Sequence, residues 1–400
     1  MPVTNETAAL RAELVKCVHE LHPLLRRNAA QTEKDRRVPD ENIRAVEAAG
    51  LFRALLPKRY GGFELPVAAH LDVTAAIAEA CPSTAWVVNL IGICGWFAAL
   101  LPGRTQDEIF GRNPAARVAG VFTPSMQTER TDVEGGMVVS GKWYYASGCL
   151  HADWGLVGLA EHDAQGNVIE QFLAYIPMSD LRIEDTWHTV GMRGSGSNCL
   201  VAENVFVPNH RMHSVPRLLA GEYASEHKAA EPLYRSAFVP MAALILAGPQ
   251  LGMGRAALEH VRSHADKRAI TYTVYAKQSD SVAFQMQLAE AAMKVETAHL
   301  HAYRCADEIH AWAERDLHPG VLARARMRCD TSWAIRHITE ALDLLITAHG
   351  AGSFAESSPM QRWWRDANTG ARHAVALPQV SLEVYGKALL GLDTLVTPLV

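Results

Sequence analysis

The chain predicts an α+β fold, mainly α, in three parts: a helical domain over 1–113, a β domain over 114–216 and a helical bundle over 217–400. Three observations lead there. Apolar residues recur at helical spacing through the first hundred residues, short valine- and aromatic-rich runs replace them near residue 115, and helical spacing returns after about 215. A length of 400 residues suits two or three packed units, and 49% hydrophobic against 20% charged residues is globular composition.

In the first part, Leu10, Leu14, Val18, Leu21 and Leu25 mark a helix over 7–28, and Asp40 is placed to cap a short helix closed by Gly50. Gly61-Gly62 and Pro66 punctuate the chain before a helix that runs to about Ala80. Pro82-Ser83 then opens an apolar helix over 84–101, ended by Pro102-Gly103. Its stretch from Trp86 to Leu101 is 16 residues and contains Asn89, Gly92 and Gly95, which reads as a buried helix and not a membrane span. The opening MPVTNETAALRAEL is polar and acidic, unlike a secretory leader or a transit peptide. Seven scattered cysteines form no C-x-x-C pair, so a reducing cytoplasm is expected.

In the middle part, VAGVF, MVVSGKWYY, WGLVGLA, QFLAYIP and CLVAENVFVP are separated by turns such as Glu134-Gly135-Gly136 and Gln165-Gly166-Asn167. They predict a compact antiparallel sheet domain. In the last part, blocks at roughly 233–265, 281–314, 320–350 and 360–394 predict a bundle of four long helices.

Charge and motifs narrow the function. Thirty-eight basic residues against 43 acids, a net charge of -5, leave no basic excess for nucleic acid or anionic lipid. Gly252-Met253-Gly254 lacks the preceding strand and the later acid of a nicotinamide loop, so small residues for helix packing are the better reading. Glu296-Thr297-Ala298-His299 is a single E-x-x-H where a di-iron bundle needs two, and no metal is expected. No G-x-S-x-G elbow, Walker loop or H-E-x-x-H is present to support a hydrolase or kinase. The unusual chemistry lies in Gly141–Gly148 and Val190–Asn198, where hydroxyls and backbone amides sit beside glycines. Each stretch alone is either a hairpin or a site.

Together with the domain order, the pieces WYYASG, GMRGSGS, NVFVP, Gln250-Leu251-Gly252, Lys267-Arg268, Phe284 to Glu290, His349-Gly350-Ala351-Gly352 and Gln361 to Ala367 resemble the acyl-CoA dehydrogenase superfamily over about residues 30–390. The resemblance implies a helical N-terminal domain, a β-barrel-like middle, a C-terminal four-helix bundle and a homotetramer. Dehydrogenases of that family need a carboxylate base. Here its commonest place, after Arg365-Asp366, holds His373-Ala374, and the alternative place holds Ala242 or Ala243. Loss of a general base costs roughly 100- to 10,000-fold in rate, so β-oxidation chemistry is disfavoured.

The departures resemble instead the oxygenase components of two-component flavin-dependent monooxygenases, similar to 4-hydroxyphenylacetate hydroxylase and the steroid-phenol hydroxylase. That resemblance implies reduced FMN or FADH2 from a separate NAD(P)H-dependent flavin reductase, with O2 as co-substrate. A C4a-hydroperoxyflavin would then hydroxylate an aromatic or polyketide-like small molecule. N- or S-oxygenation, a dehydrogenase with an atypical base and a non-catalytic scaffold are the alternatives. By resemblance Ser147 faces flavin N5 and His373 the peroxide, as a residue titrating near neutrality. Phe122 and Thr123 lie along the isoalloxazine, Ser195 and Ser197 line its loop, and Arg268, Phe284, His349 and Gly350 hold flavin phosphates across subunits. The histidine that phenol hydroxylases of this branch carry in the apolar helix is replaced around Cys94. Trp86, Asn89, Cys94, Trp96, Phe97 and Tyr145 are the expected pocket lining, or else plain core.

Overall fold

The computed structural model describes residues 5–124 and 128–400. Its helical front consists of α1 (Asn5–Asp35), α2 (Asp40–Ala48), α3 (Val67–Ala80), α4 (Pro82–Ala98) and the short α5 (Gly103–Gln106). Pro39, not Asp40, is the N-cap of α2, and Pro82 starts α4 at a position where proline's missing N–H costs nothing. Nearly every residue of α4 is buried, because the helix is wrapped by α3, the β domain and the bundle at once.

The β domain is two four-stranded sheets. The first has the order β1-β4-β5-β8 (Val118–Val121, Trp154–His162, Val168–Pro177, Met212–Ser214). The second has the order β2-β3-β7-β6 (Glu129–Val133, Gly136–Ala146, Asn198–Pro208, Arg182–Glu184). The sequence predicts antiparallel pairing throughout, and one pair departs from it: β1 runs parallel to β4, Val118 opposite Trp154. Between them the chain crosses to the other sheet to build β2 and β3, and such a crossover permits a parallel return. β2, β6 and β8 carry no legible signal, being short or mostly polar. Trp143 joins the sheets, donating its indole N–H to the Gly158 carbonyl at 2.7 Å.

After the short α6 (Val215–Leu219) the bundle follows as α7 (Phe238–Leu244), α8 (Ala247–His264), α9 (Val282–Glu314), α10 (Val321–His349), α11 (Pro359–Gly370) and α12 (Pro378–Leu389). The predicted fourth long helix is thus two helices, broken over 371–377. Gly252 serves packing: a methyl there would overlap the Ala75 carbonyl of α3. Among the described residues one helical stretch, 238–267, is long and apolar enough to cross a membrane, and most of it is buried inside the protein.

Candidate active site

The site begins where β3 ends. Tyr145 takes a left-handed backbone (φ 75°) and Gly148 another (φ 79°), so the chain turns sharply between them. The turn throws Tyr145 outward, 71% exposed, edge-on to Trp187 at 6.0 Å. Ser147 is held inward and nearly buried. Its Oγ accepts from Trp86 Nε1 at 3.1 Å and lies 2.7 Å from Ser197 Oγ, which lies 2.7 Å from Ser195 Oγ. The backbones are tied as well, since Gly148 N–H donates to the Ser195 carbonyl at 3.0 Å.

The loop that presents Ser195 and Ser197 is pinned from three sides. Met192, itself left-handed (φ 51°), donates its N–H to the Asp366 carboxylate of α11 at 2.5 Å. Its carbonyl accepts from Ser195 Oγ and Trp187 Nε1, both at 2.8 Å. Glu33 of α1 accepts from Arg362 at 3.1 Å and from Arg365, and its carbonyl accepts from Arg193 at 3.1 Å. Burial pushes the Asp366 carboxyl up to about 7, against the pull of the Met192 N–H.

His373 lies in the break between α11 and α12, its ring 6.5 Å from that of Trp86 at 59°. The His373 side chain is exposed at the surface of this break. Desolvation lowers its pKa to about 4. Near neutrality, where the sequence expects this histidine to donate or accept, that shift favours the neutral imidazole. Its Nδ1 accepts from the Val375 N–H at 3.4 Å, which assigns the ring proton to Nε2.

A second cluster lies at the far end of α10. Arg268 donates to His349 Nε2 at 3.2 Å and to the His349 carbonyl at 3.0 Å, beside Gly350 at φ 89°. These bonds go to an imidazole and a carbonyl, and among the described residues no carboxylate pairs with the guanidinium. Burial, with Arg268 alongside, lowers His349 to about 4. Its Nδ1–H is buried without a partner among the described residues. Phe284 is buried at the head of α9, where Ser281 caps its N–H.

The expected pocket residues divide. Trp96 packs as core: its indole N–H donates to the Leu233 carbonyl at 3.2 Å and its ring meets Phe97, Tyr223 and Phe238. Phe97 is wedged between Phe122 and Phe238 at 4.7 and 4.9 Å, so Phe122 touches α4, while Thr123 is exposed. Cys94 is buried and its thiol pushed up to about 12 by desolvation. Asn89 is fully buried and accepts from His70 Nε2 at 3.0 Å.

Sequence reasoning missed His70, Trp187 and Glu33, and took Met192 only as part of the GMRGSGS stretch. His70 had a signal, a lone imidazole in the apolar run VAAHLDVTAAIAEA, and Gly92 gives its ring room against α4. The other three act through backbone geometry or long-range pairs. Elsewhere His19, His22 and Glu79 gather their ligand atoms within 4.8 Å, but His22 donates to the Ala76 carbonyl and Glu79 pairs with Arg255.

The arrangement fits a flavin: hydroxyls in a half-dry turn, an unneutralised arginine and an orphaned imidazole N–H at a glycine turn are donors and acceptors for a ring edge and for phosphate oxygens. Fold and site thus define a protein of the acyl-CoA dehydrogenase type, and residues 4–101 and 244–378 match the models of the acyl-CoA dehydrogenase N-terminal and C-terminal domains. The chain is 32% identical over 389 residues to the flavin-dependent monooxygenase oxygenase subunit HsaA of Mycobacterium tuberculosis, covering 96% of this chain and 97% of that one. To the p-hydroxyphenylacetate 3-hydroxylase oxygenase component of Acinetobacter baumannii it is 30% identical, covering 95% and 89%. The solved structure of XiaF from Streptomyces sp., in complex with FADH2 and glycerol, superposes with a TM-score of 0.93 at 38% identity over 98% of each chain. The chain belongs to the acyl-CoA dehydrogenase family, in its branch of flavin-dependent monooxygenase oxygenase components.

Proposed function

We propose that this oxygenase hydroxylates a flat aromatic or polyketide-like molecule in the cleft walled by Ser147, Trp86 and His373. The observation that carries this reading is an imidazole, His373, where a dehydrogenase would carry a carboxylate, its ring 6.5 Å from that of Trp86 at the break between α11 and α12. Reduced FMN or FADH2, brought by a separate NAD(P)H-dependent reductase, supplies two electrons to O2, so that one oxygen atom enters the substrate and the other leaves as water.

The chain's own residues do the rest. Ser147, steadied by Trp86 and Ser197, offers an oxygen to the ring edge. Arg268, Phe284, His349 and Gly350 hold the phosphates across subunits of a homotetramer. Phe122 and Thr123 flank the ring. His373, with its proton on Nε2, would donate a hydrogen bond to the oxygen that leaves and keep that proton. Asn89, Cys94, Phe97 and Tyr145 shape the substrate's surroundings, while Trp96 supports them from the core. Its seven cysteines, all free thiols, suit a cytoplasmic enzyme.

Labelled dioxygen tests the reading. With reduced flavin, a flavin reductase and a panel of phenols and indoles, one labelled atom enters the product. His373→Ala loses product formation about 100-fold or more while its melting temperature stays unchanged. Full coupled turnover by that variant removes His373 from the chemistry, and bleaching of oxidised flavin by an acyl-CoA favours a dehydrogenase.

A further inference from the structure

Two polar side chains are fully buried on the face of the first sheet that packs against α4. Among the described residues Tyr175 Oη of β5 and His213 Nε2 of β8 have no hydrogen-bond partner. A buried polar group left unmet costs stability, so each needs an explanation. His213 stands directly opposite Leu173, and Tyr175 lies two residues further along β5. The two side chains therefore rise from one face as diagonal neighbours, their Cβ atoms about 7 Å apart, and a single small group fits between their tips.

Helix α4 lies over them and connects them to the cleft. Trp86, Leu90, Cys94 and Phe97 share one side of that helix by their spacing, and Leu90 is the one residue of α4 that is not buried. Opposite it Gly120 and Phe122 of the first sheet's edge are half-open too, so the cleft at Trp86 continues along this side of the helix. Cys94 lies eight residues, about 12 Å, further along than Trp86. Its thiol rests against the Gly120 backbone and beside Tyr175. Tyr175 thus stands at the inner end of the cleft, away from His373.

The two groups differ in what they offer. Burial raises the Tyr175 hydroxyl well above its ordinary value, so it keeps its proton and can donate. Burial lowers His213 to about 3, so the ring is neutral; with its N–H spent on the Phe97 backbone, Nε2 is an acceptor. One donor beside one acceptor is the complement of an alcohol or phenol O–H. We infer that Tyr175 and His213 form a subsite for a hydroxyl group carried by a fused-ring substrate at the end remote from the carbon that is oxidised. The inference rests on the proposed hydroxylase reading and adds to it the class of substrate.

The experiment titrates the purified protein with 2-naphthol and with naphthalene, two flat probes that differ by one hydroxyl, and reads the ratio of the naphthalene Kd to the naphthol Kd. In Tyr175→Phe the ratio is expected to fall about ten-fold, the worth of one hydrogen bond. The melting temperature of the free variant stays unchanged, because the hydroxyl removed bonds nothing there. His213→Phe moves the ratio the same way and serves if the first variant does not fold. A ratio unchanged in a folded variant overturns the subsite. So does a melting temperature that falls while the ratio holds, which makes the hydroxyl part of the packing. Incorporation of labelled dioxygen is read separately: an unchanged ratio with product still formed overturns the subsite alone, whereas no labelled product from the unaltered protein overturns the hydroxylase reading.

Discussion

Gly194 shows how little freedom the loop has at the scale of one residue. A methyl group there would overlap the Thr32 side chain and come within 2.9 Å of Ser83 Cβ, and both neighbours are buried. Neither is a long side chain that can swing away. Gly194→Ala is therefore expected to cost about 1–3 kcal/mol, the usual range for overpacking a filled site. It should also weaken flavin binding, because Ser195 and Ser197 follow directly; urea melts and flavin titration check the two effects. Ser147 and His373 are single residues whose neighbours set their chemistry. Trp86 donates to one and lies against the other, so a side chain expected only to touch substrate joins both parts of the site.

At the scale of elements, α11 is the organiser. It carries Asp366 to the Met192 N–H and Arg362 and Arg365 to Glu33, and it ends at Gly370, just before the break that frees His373. Had the chain continued as one helix from 359 to 389, His373 would be a side chain on a helix face; the break lets it serve as the N-cap of the next turn. Glu33 ties α1 to this helix through two charged donors in a half-buried setting. Glu33→Ala is expected to destabilise the fold by about 1.5–3 kcal/mol, the worth of hydrogen bonds to charged groups, and to loosen flavin binding more than Glu33→Gln does. Denaturant midpoints of the two variants, compared with their flavin Kd values, decide it.

At the scale of the whole molecule, acid is the weak point. Burial lowers His70, His151, His349 and His373 to about 4, and His213 to about 3, against an ordinary value of 6.5. The folded state binds fewer protons than the unfolded chain between these values, so the stability these groups allow is full above pH 6.5 and is lost as pH falls toward 4. Asp366, raised to about 7, works the other way, because its neutral form is favoured in the fold and stability declines as pH rises toward 7. Five groups outweigh one. The melting temperature is expected to fall steadily from pH 6.5 to pH 4, and a flat profile over that window would count against buried neutral imidazoles.

Period and punctuation made the architecture legible from the amino acids: the helical front, the change near residue 115, the long helices and the stops at Gly50, Pro82 and Pro102 are local properties. So is the replacement of a carboxylate by His373, since it needs only a count from Arg365-Asp366. The parallel β1–β4 pair, the break over 371–377, the neutral state of His373 and the pairing of Tyr175 with His213 lay beyond such reading. Each depends on groups far apart in the chain. Strand direction depends on where the crossover passes, a pKa on how much protein surrounds a ring, and the meeting of Tyr175 and His213 on strand register and on α4 packing over them from another domain.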